Sequence, residues 1–248
     1  MITGEHGTLA LIQGELTEAA ERYQESLAIF RSLNEPGYEA VFLHQLGMVY
    51  QEEEQWEEAE QVYREAARLK EELGLLEGDN GADASWQQLA QVCNVTGRVR
   101  EAEQWYRKAL AVRRVADDQL GLARTLSNLA DLLADNPACL AEARYLAEES
   151  LTIFKTLDSV ESQLWITYDL MAYIAARQGE SSQAAAYRTK SRQAYFAFPA
   201  WRQQLYQHEP LIANVVQGIN VEAALAPYDE AWTNLESSHP ANPQRRAE

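Results

Sequence analysis

One phrase recurs along this chain of 248 residues, and its spacing limits the fold more than any other feature. Leu46-Gly47-Met48-Val49-Tyr50, followed by the run Trp56 to Tyr63, returns as Leu89-Ala90-Gln91-Val92-Cys93, followed by Val99 to Tyr106. Aligning the Glu-Ala pairs puts Ala19, Ala59, Ala102 and Ala143 in one register, with Ala184 in a degenerate fifth copy, at intervals of 40, 43, 41 and 41 residues. Apolar residues recur three and four apart within each copy and nothing alternates convincingly at two, which is the helical period. A hairpin of two amphipathic helices cannot bury both faces alone, so neighbours must stack into an α-solenoid. The expectation is an all-α array over residues 1–198, with the first hairpin incomplete and the fifth degenerate. Capping helices are expected over 199–237, and a disordered tail over 238–248.

Several rows repeat together. Gly7, Gly47, Ala90, Ala130 and Ala172 keep a small residue where two helices must approach closely, and a larger side chain would push them apart. Tyr23, Tyr63 and Tyr106 fall four residues after the alanine, and Ser26, Ala66, Ala109 and Ser150 follow at the next close-packing point. Ala147 and Arg188 replace the tyrosine in the last two copies. These rows resemble the tetratricopeptide repeat in its longer variety, as found in kinesin light chains and many bacterial regulators. The resemblance implies a right-handed superhelix of about five hairpins whose concave groove is lined by the first helix of each hairpin. The stretch from Glu209 to Leu225 is similar to the segment that succeeds such arrays in some bacterial signalling proteins, including signal-transduction ATPases and caspase-like conflict proteins.

The net charge of −17 disfavours binding to polyphosphate backbones and to anionic lipid surfaces. No apolar run reaches a membrane span and the N-terminus is not a signal peptide, so a cytoplasmic location is expected. Met1 already lies within the first helix. That leaves two expectations: a piece of a longer chain, or a first repeat completed by self-association.

Catalytic and metal chemistry find little support. Cys93 sits on a packing face; Cys139 follows Asn136-Pro137-Ala138 at a helix start, the better place for a reactive thiol, and both are expected to be structural. The histidines, His6, His44, His208 and His239, lack metal spacing, no phosphate loop exists, and Asp79 to Asp83 reads as a capped turn rather than a calcium loop. No cofactor and no enzymatic activity are expected. The connection Leu76 to Gly81 is the candidate flexible joint.

Projecting the helical period onto the groove that the resemblance implies selects His44, Gln45, Met48 and Gln51 from the second hairpin, and Gln87, Gln88, Gln91 and Asn94 from the third. The fourth and fifth add Arg124, Ser127, Asn128, Asp131, Asp169, Tyr173 and Arg177. Gln45, Gln88 and Asn128 each precede the repeat leucine, and a ladder of carboxamides suits the main chain of an extended peptide. In the light-chain type the residue matching Asn128 holds ligand backbone. His44, Gln87 and Gln91 stand where repeats that clamp chaperone tails carry cations, so that ligand is disfavoured. Glu52 to Glu58 at a hairpin turn offers negative charge to a basic segment. The expected function is a scaffold that binds a partner protein or peptide with basic residues. The alternative is a regulatory or sensor segment of a larger bacterial signalling or conflict protein, an ATPase or a caspase-like protease.

Overall fold

A computed structural model describes residues 2–78, 80–157 and 161–197. Among the described residues there are ten α-helices: α1 (Ile2–Gln13), α2 (Leu16–Ser32), α3 (Pro36–Glu52), α4 (Trp56–Glu72), α5 (Ala82–Val95), α6 (Val99–Arg113), α7 (Gln119–Ala134), α8 (Leu140–Thr156), α9 (Glu161–Arg177) and α10 (Ser181–Ala197). A short 3-10 turn, Pro137–Cys139, leads into α8. The expected capping helices and tail, 199–248, lie outside the described residues. The chain divides into two compact units, Met1–Ile153 and Phe154–Glu248. In the first, each helix from α1 to α6 packs on the one that follows it; in the second, α9 packs on α10. This is the all-α arrangement of sequential hairpins that the repeat demands.

Helix ends share one device. The amides of Glu15, Glu35, Gln55, Leu75, Arg98 and Glu180 each donate to the carbonyl five residues earlier, closing the helix around a left-handed residue. Four of the six closures use glycine, at Gly14, Gly74, Gly97 and Gly179; Asn34 and Glu54 take the same conformation at φ 56° and 58°. The helix starts are plainer than the sequence implies. Gly81, at the head of α5, makes no side-chain cap, nor do the residues before α2, α3, α4 and α6, whereas Asp118 and Asn136 cap with a side chain, to the amides of Gly121 and Ala138. The connection before α5 is also not loose at its far end, where the amides of Ala82 and Asp83 bond the carbonyls of Leu75 and Leu76 and Gly81 is buried.

Within a hairpin the small-residue row does what its spacing requires. A Cβ on Gly47 would lie 2.6 Å from Cε1 of Tyr63, whose ring is fully buried. Tyr23 and Tyr106 fill the equivalent places, and Ser26, Ala66, Ala109 and Ser150 are also out of water.

Between hairpins of the first unit, three positions of the repeat meet: the eleventh residue after the register alanine, and the eighth and fourth residues before the next hairpin's leucine. Phe30, Tyr38 and Phe42 fill them at the first joint, with Phe30 stacked on both partners at 4.6 and 5.4 Å between centroids. Lys70, Gly81 and Ser85 fill them at the second: Lys70 Nζ donates to the Gly81 carbonyl at 3.2 Å and to Ser85 Oγ at 3.1 Å. Arg113, Gly121 and Thr125 fill them at the third, where Arg113 Nη1 lies 2.8 Å from the Gly121 carbonyl and 2.7 Å from Thr125 Oγ1. The same geometry is thus aromatic once and cationic twice. Each cation lies at the C-terminal end of its helix, where the backbone dipole favours it.

Candidate functional site

The rows along α3, α5 and α7 separate into those used internally and those left at the surface. In the row two residues before the leucine, His44 is buried and its Nδ1 lies 3.0 Å from Ser85 Oγ. Burial, and then the charge on Lys70, hold its imidazole down at about 3, so the ring is neutral. His44 is therefore a joint residue, not a groove-lining one, because stacking of the third hairpin covers it. Its sequence signal was polar, and its polar partner is the interior hydroxyl of Ser85.

Gln87, the equivalent residue on α5, is shared. Its Oε1 lies 2.6 Å from Arg113 Nη1 and accepts from Thr125 Oγ1 at 3.1 Å, while the rest of the side chain is partly exposed. Gln51 and Gln91 pair with each other at 3.3 Å, and Gln51 also accepts from the Tyr63 hydroxyl. The carboxamide row itself lies partly at the surface, with Gln88 Oε1 enclosed and without a hydrogen-bond partner among the described residues. Gln45, Gln88 and Asn128 are each partly exposed beside a buried leucine, Leu46, Leu89 or Leu129. Met48, Asn94, Ser127 and Asp131 are partly exposed too, and Arg124 is exposed. Met48 joins Leu11, Gly14, Leu16 and Glu52 around an open depression of ≈ 370 Å³. In the second unit, α9 carries Asp169 and Tyr173, both partly exposed, and the exposed Arg177, whose guanidinium sits 5.8 Å from the centroid of the Tyr173 ring.

Sequence reasoning missed the buried charges. Asp83 is completely enclosed and accepts from Arg113 Nε at 2.7 Å. Lys70 is 1% exposed, and burial draws its amine down to about 8 against the opposing pull of Asp83. An available signal was the register: Lys70 and Arg113 occupy one repeat position, the last turn of a second helix, where Phe30 stands one copy earlier.

Two constellations carry the side chains of chemistry without its access. Lys70, Ser85 and His44 place an amine, a hydroxyl and an imidazole in one hydrogen-bonded chain, but Ser85 is fully enclosed and no substrate atom can approach it. Cys93 Sγ lies with carboxylate oxygens of Glu60 and Glu101 in a cluster no wider than 4.8 Å. Arg98 forks onto Glu60 at 2.6 and 2.9 Å and also reaches Glu101, and Arg64 bonds both carboxylates. The Arg98 hydrogen bonds, foremost, hold Glu60 down at about 2, and burial pushes the Cys93 thiol up to about 11. Two guanidiniums already neutralise the carboxylates and the thiol keeps its proton, so these residues do not fit a metal ion.

The tetratricopeptide repeat family model matches residues 1–72 and 82–156, more than half of the chain. The chain is a tetratricopeptide repeat protein. Solved structures share the fold. BtubC (BKLC) from P. vanneervenii superposes with a TM-score of 0.70 at 21% identity, over 77% of each chain. A putative kinesin light chain from P. anserina with nearly identical repeats gives 0.62 at 19%, over 84% of this chain and 95% of that one. The signal transduction ATPase PH0952 from Pyrococcus horikoshii, which has a tetratricopeptide repeat sensor, gives 0.66 at 17%; the match spans 84% of this chain but only 31% of the ATPase. A search among curated proteins finds no match in sequence. Tetratricopeptide repeats are generally protein-interaction modules and typically not catalytic. Among the described residues of this one, no helix is long and apolar enough to cross a membrane.

Proposed function

We propose that this tetratricopeptide repeat protein binds an extended segment of a partner protein along the first-helix rows of its first unit. The observation that carries the reading is the row Gln45, Gln88 and Asn128, three equivalent carboxamides kept partly exposed on α3, α5 and α7 while the adjacent leucines are buried. A carboxamide both donates and accepts, so repeating it at one register matches the alternating groups of a peptide main chain, with Gln88, whose Oε1 is enclosed, offering its amide hydrogens.

The charge distribution supports a partner with basic residues. On the second helices, Arg22, Arg31, Arg64, Arg68, Arg107 and Lys108 are all ion-paired with glutamates, as is Arg114 just past the end of α6. Glu52, Glu54, Glu57 and Glu58 at the turn between α3 and α4 are exposed and have no ion pair among the described residues. These four carboxylates lie close together in the chain, and a cationic segment gains most beside acids that no cation of the described residues already pairs. The test is recovery of a captured partner by wild type and by Gln88→Ala/Asn128→Ala. Loss of two hydrogen bonds lowers recovery by about tenfold or more; equal recovery removes the reading. Affinity that does not fall across a salt series removes the electrostatic part.

A second reading, a sensor segment within a larger signalling protein, is favoured by the fold likeness to the repeat sensor of PH0952. An open reading frame that continues into a nucleotide-binding or protease domain would establish it.

A further inference from the structure

Gln87 differs from the other carboxamides of the groove in that its orientation is fixed from inside the protein. Arg113 can only donate, so the atom 2.6 Å from its Nη1 must be the oxygen of Gln87. Thr125 Oγ1 lies 3.1 Å from the same oxygen. The guanidinium is itself held by Asp83, through Nε to Oδ2 at 2.7 Å, with the two side chains 7% and 0% exposed. A planar fork anchored at one edge leaves no freedom at the other. With Oε1 committed inward, Nε2 has no hydrogen-bond partner among the described residues and is not among the enclosed polar atoms that lack one. At the second joint the equivalent residue, His44, is buried, whereas at the third Gln87 presents a polar group outward.

We infer that Gln87 is a specificity-determining hydrogen-bond donor of the groove, aimed by the buried Asp83–Arg113 pair, and that it reads a main-chain carbonyl oxygen of the bound segment. A free carboxylate, the other common acceptor, is disfavoured by the net charge of −17. A neutral carbonyl meets no such field. Arg113 and Asp83 are positioning residues that touch no ligand. The inference rests on the groove reading above and deepens it.

The test uses the intact chain and a short peptide selected on it from a random display library. Gln87→Glu keeps the shape and the bond to Arg113 but removes the donor. The expected result is an unchanged melting temperature and about tenfold weaker binding of the selected peptide. Should the carboxylate disturb the fold, Gln87→Met removes the donor without adding charge. Replacing peptide amides one at a time by esters weakens the carbonyl acceptors; one position should cost affinity on wild type and none on Gln87→Glu, a coupling that a merely structural role would not produce. Undiminished binding by Gln87→Glu, together with weakened binding by Gln88→Ala/Asn128→Ala, overturns this inference and leaves the groove reading standing. If neither variant weakens binding, or no peptide is enriched, both fall.

Discussion

Arg113 Nε meets Asp83 Oδ2 at 2.7 Å across a hairpin interior, and neither side chain has appreciable contact with water. Such a pair is costly to break by halves, because removing one partner strands the other charge, while removing both leaves no charge and takes a donor only from the neutral groups Gln87, Gly121 and Thr125. Arg113→Met should therefore destabilise by about 3–5 kcal/mol and the double variant Arg113→Met/Asp83→Leu by clearly less. Urea melts of wild type, both single variants and the double variant supply the cycle; equal losses for single and double variants contradict it.

Gly47→Ala drives a methyl into the buried ring of Tyr63. Overpacking of this kind costs about 1–3 kcal/mol. Gly37→Ala is the matched control, since its nearest neighbour outside the local helix is 4.0 Å away and it lies in the first turn of α3. The two variants should move the melting temperature in opposite directions, because alanine is the better helix former where space is open.

Glu54 holds a left-handed conformation at φ 58° that three equivalent closures of the first unit, at Gly14, Gly74 and Gly97, give to glycine. Glu54→Gly should stabilise by about 0.5–1 kcal/mol, and Gly97→Ala should destabilise by about the same or more. The Glu54 substitution also removes one of the exposed acids at that turn, so partner affinity and stability should change in opposite senses.

His44 is neutral in the folded chain, with its imidazole held near 3 against an ordinary 6.5. A depressed folded value means that the contribution is complete above pH 6.5 and is lost as pH falls, because the unfolded chain takes up the proton first. Between pH 6.5 and 5 the loss amounts to about 1.5 kcal/mol. Over this interval His44→Gln, which can still accept from Ser85, should show a flatter stability profile than wild type. Glu60 adds a separate loss below its ordinary range, as pH falls from 4.5 towards 2. Confining the comparison to mild acid keeps the two apart.

The hairpins were legible in the sequence because the rows that define them are apolar or small, and burial is the only thing that such rows can be for. Leu46, Leu89 and Leu129, and Tyr23, Tyr63 and Tyr106, all fall where the period puts them. The groove was less legible because helical projection gives a direction and not a neighbour. His44 and Gln87 project towards the groove, yet the groups that cover the first and tie down the second come from the next hairpin, through Ser85 and Thr125. The buried cations escaped notice because Lys and Arg near a helix end have an ordinary explanation in the helix dipole. Only comparison of Lys70 and Arg113 with Phe30 at the same register shows that the position is interior.

Joints filled differently at one register make the hairpins non-interchangeable parts. Joining α2 directly to α5 would leave Phe30 facing Gly81 and Ser85, an aromatic ring over a carbonyl and a hydroxyl that had been satisfied by an ammonium. Joining α4 to a second copy of α3 would set Lys70 against the rings of Tyr38 and Phe42, with a phenyl group in place of the Ser85 hydroxyl that accepts from it. The order of repeats is thus written into the chain by mismatch as much as by fit, and a lineage that duplicates or deletes a hairpin here must change three residues at once or carry an unsatisfied joint.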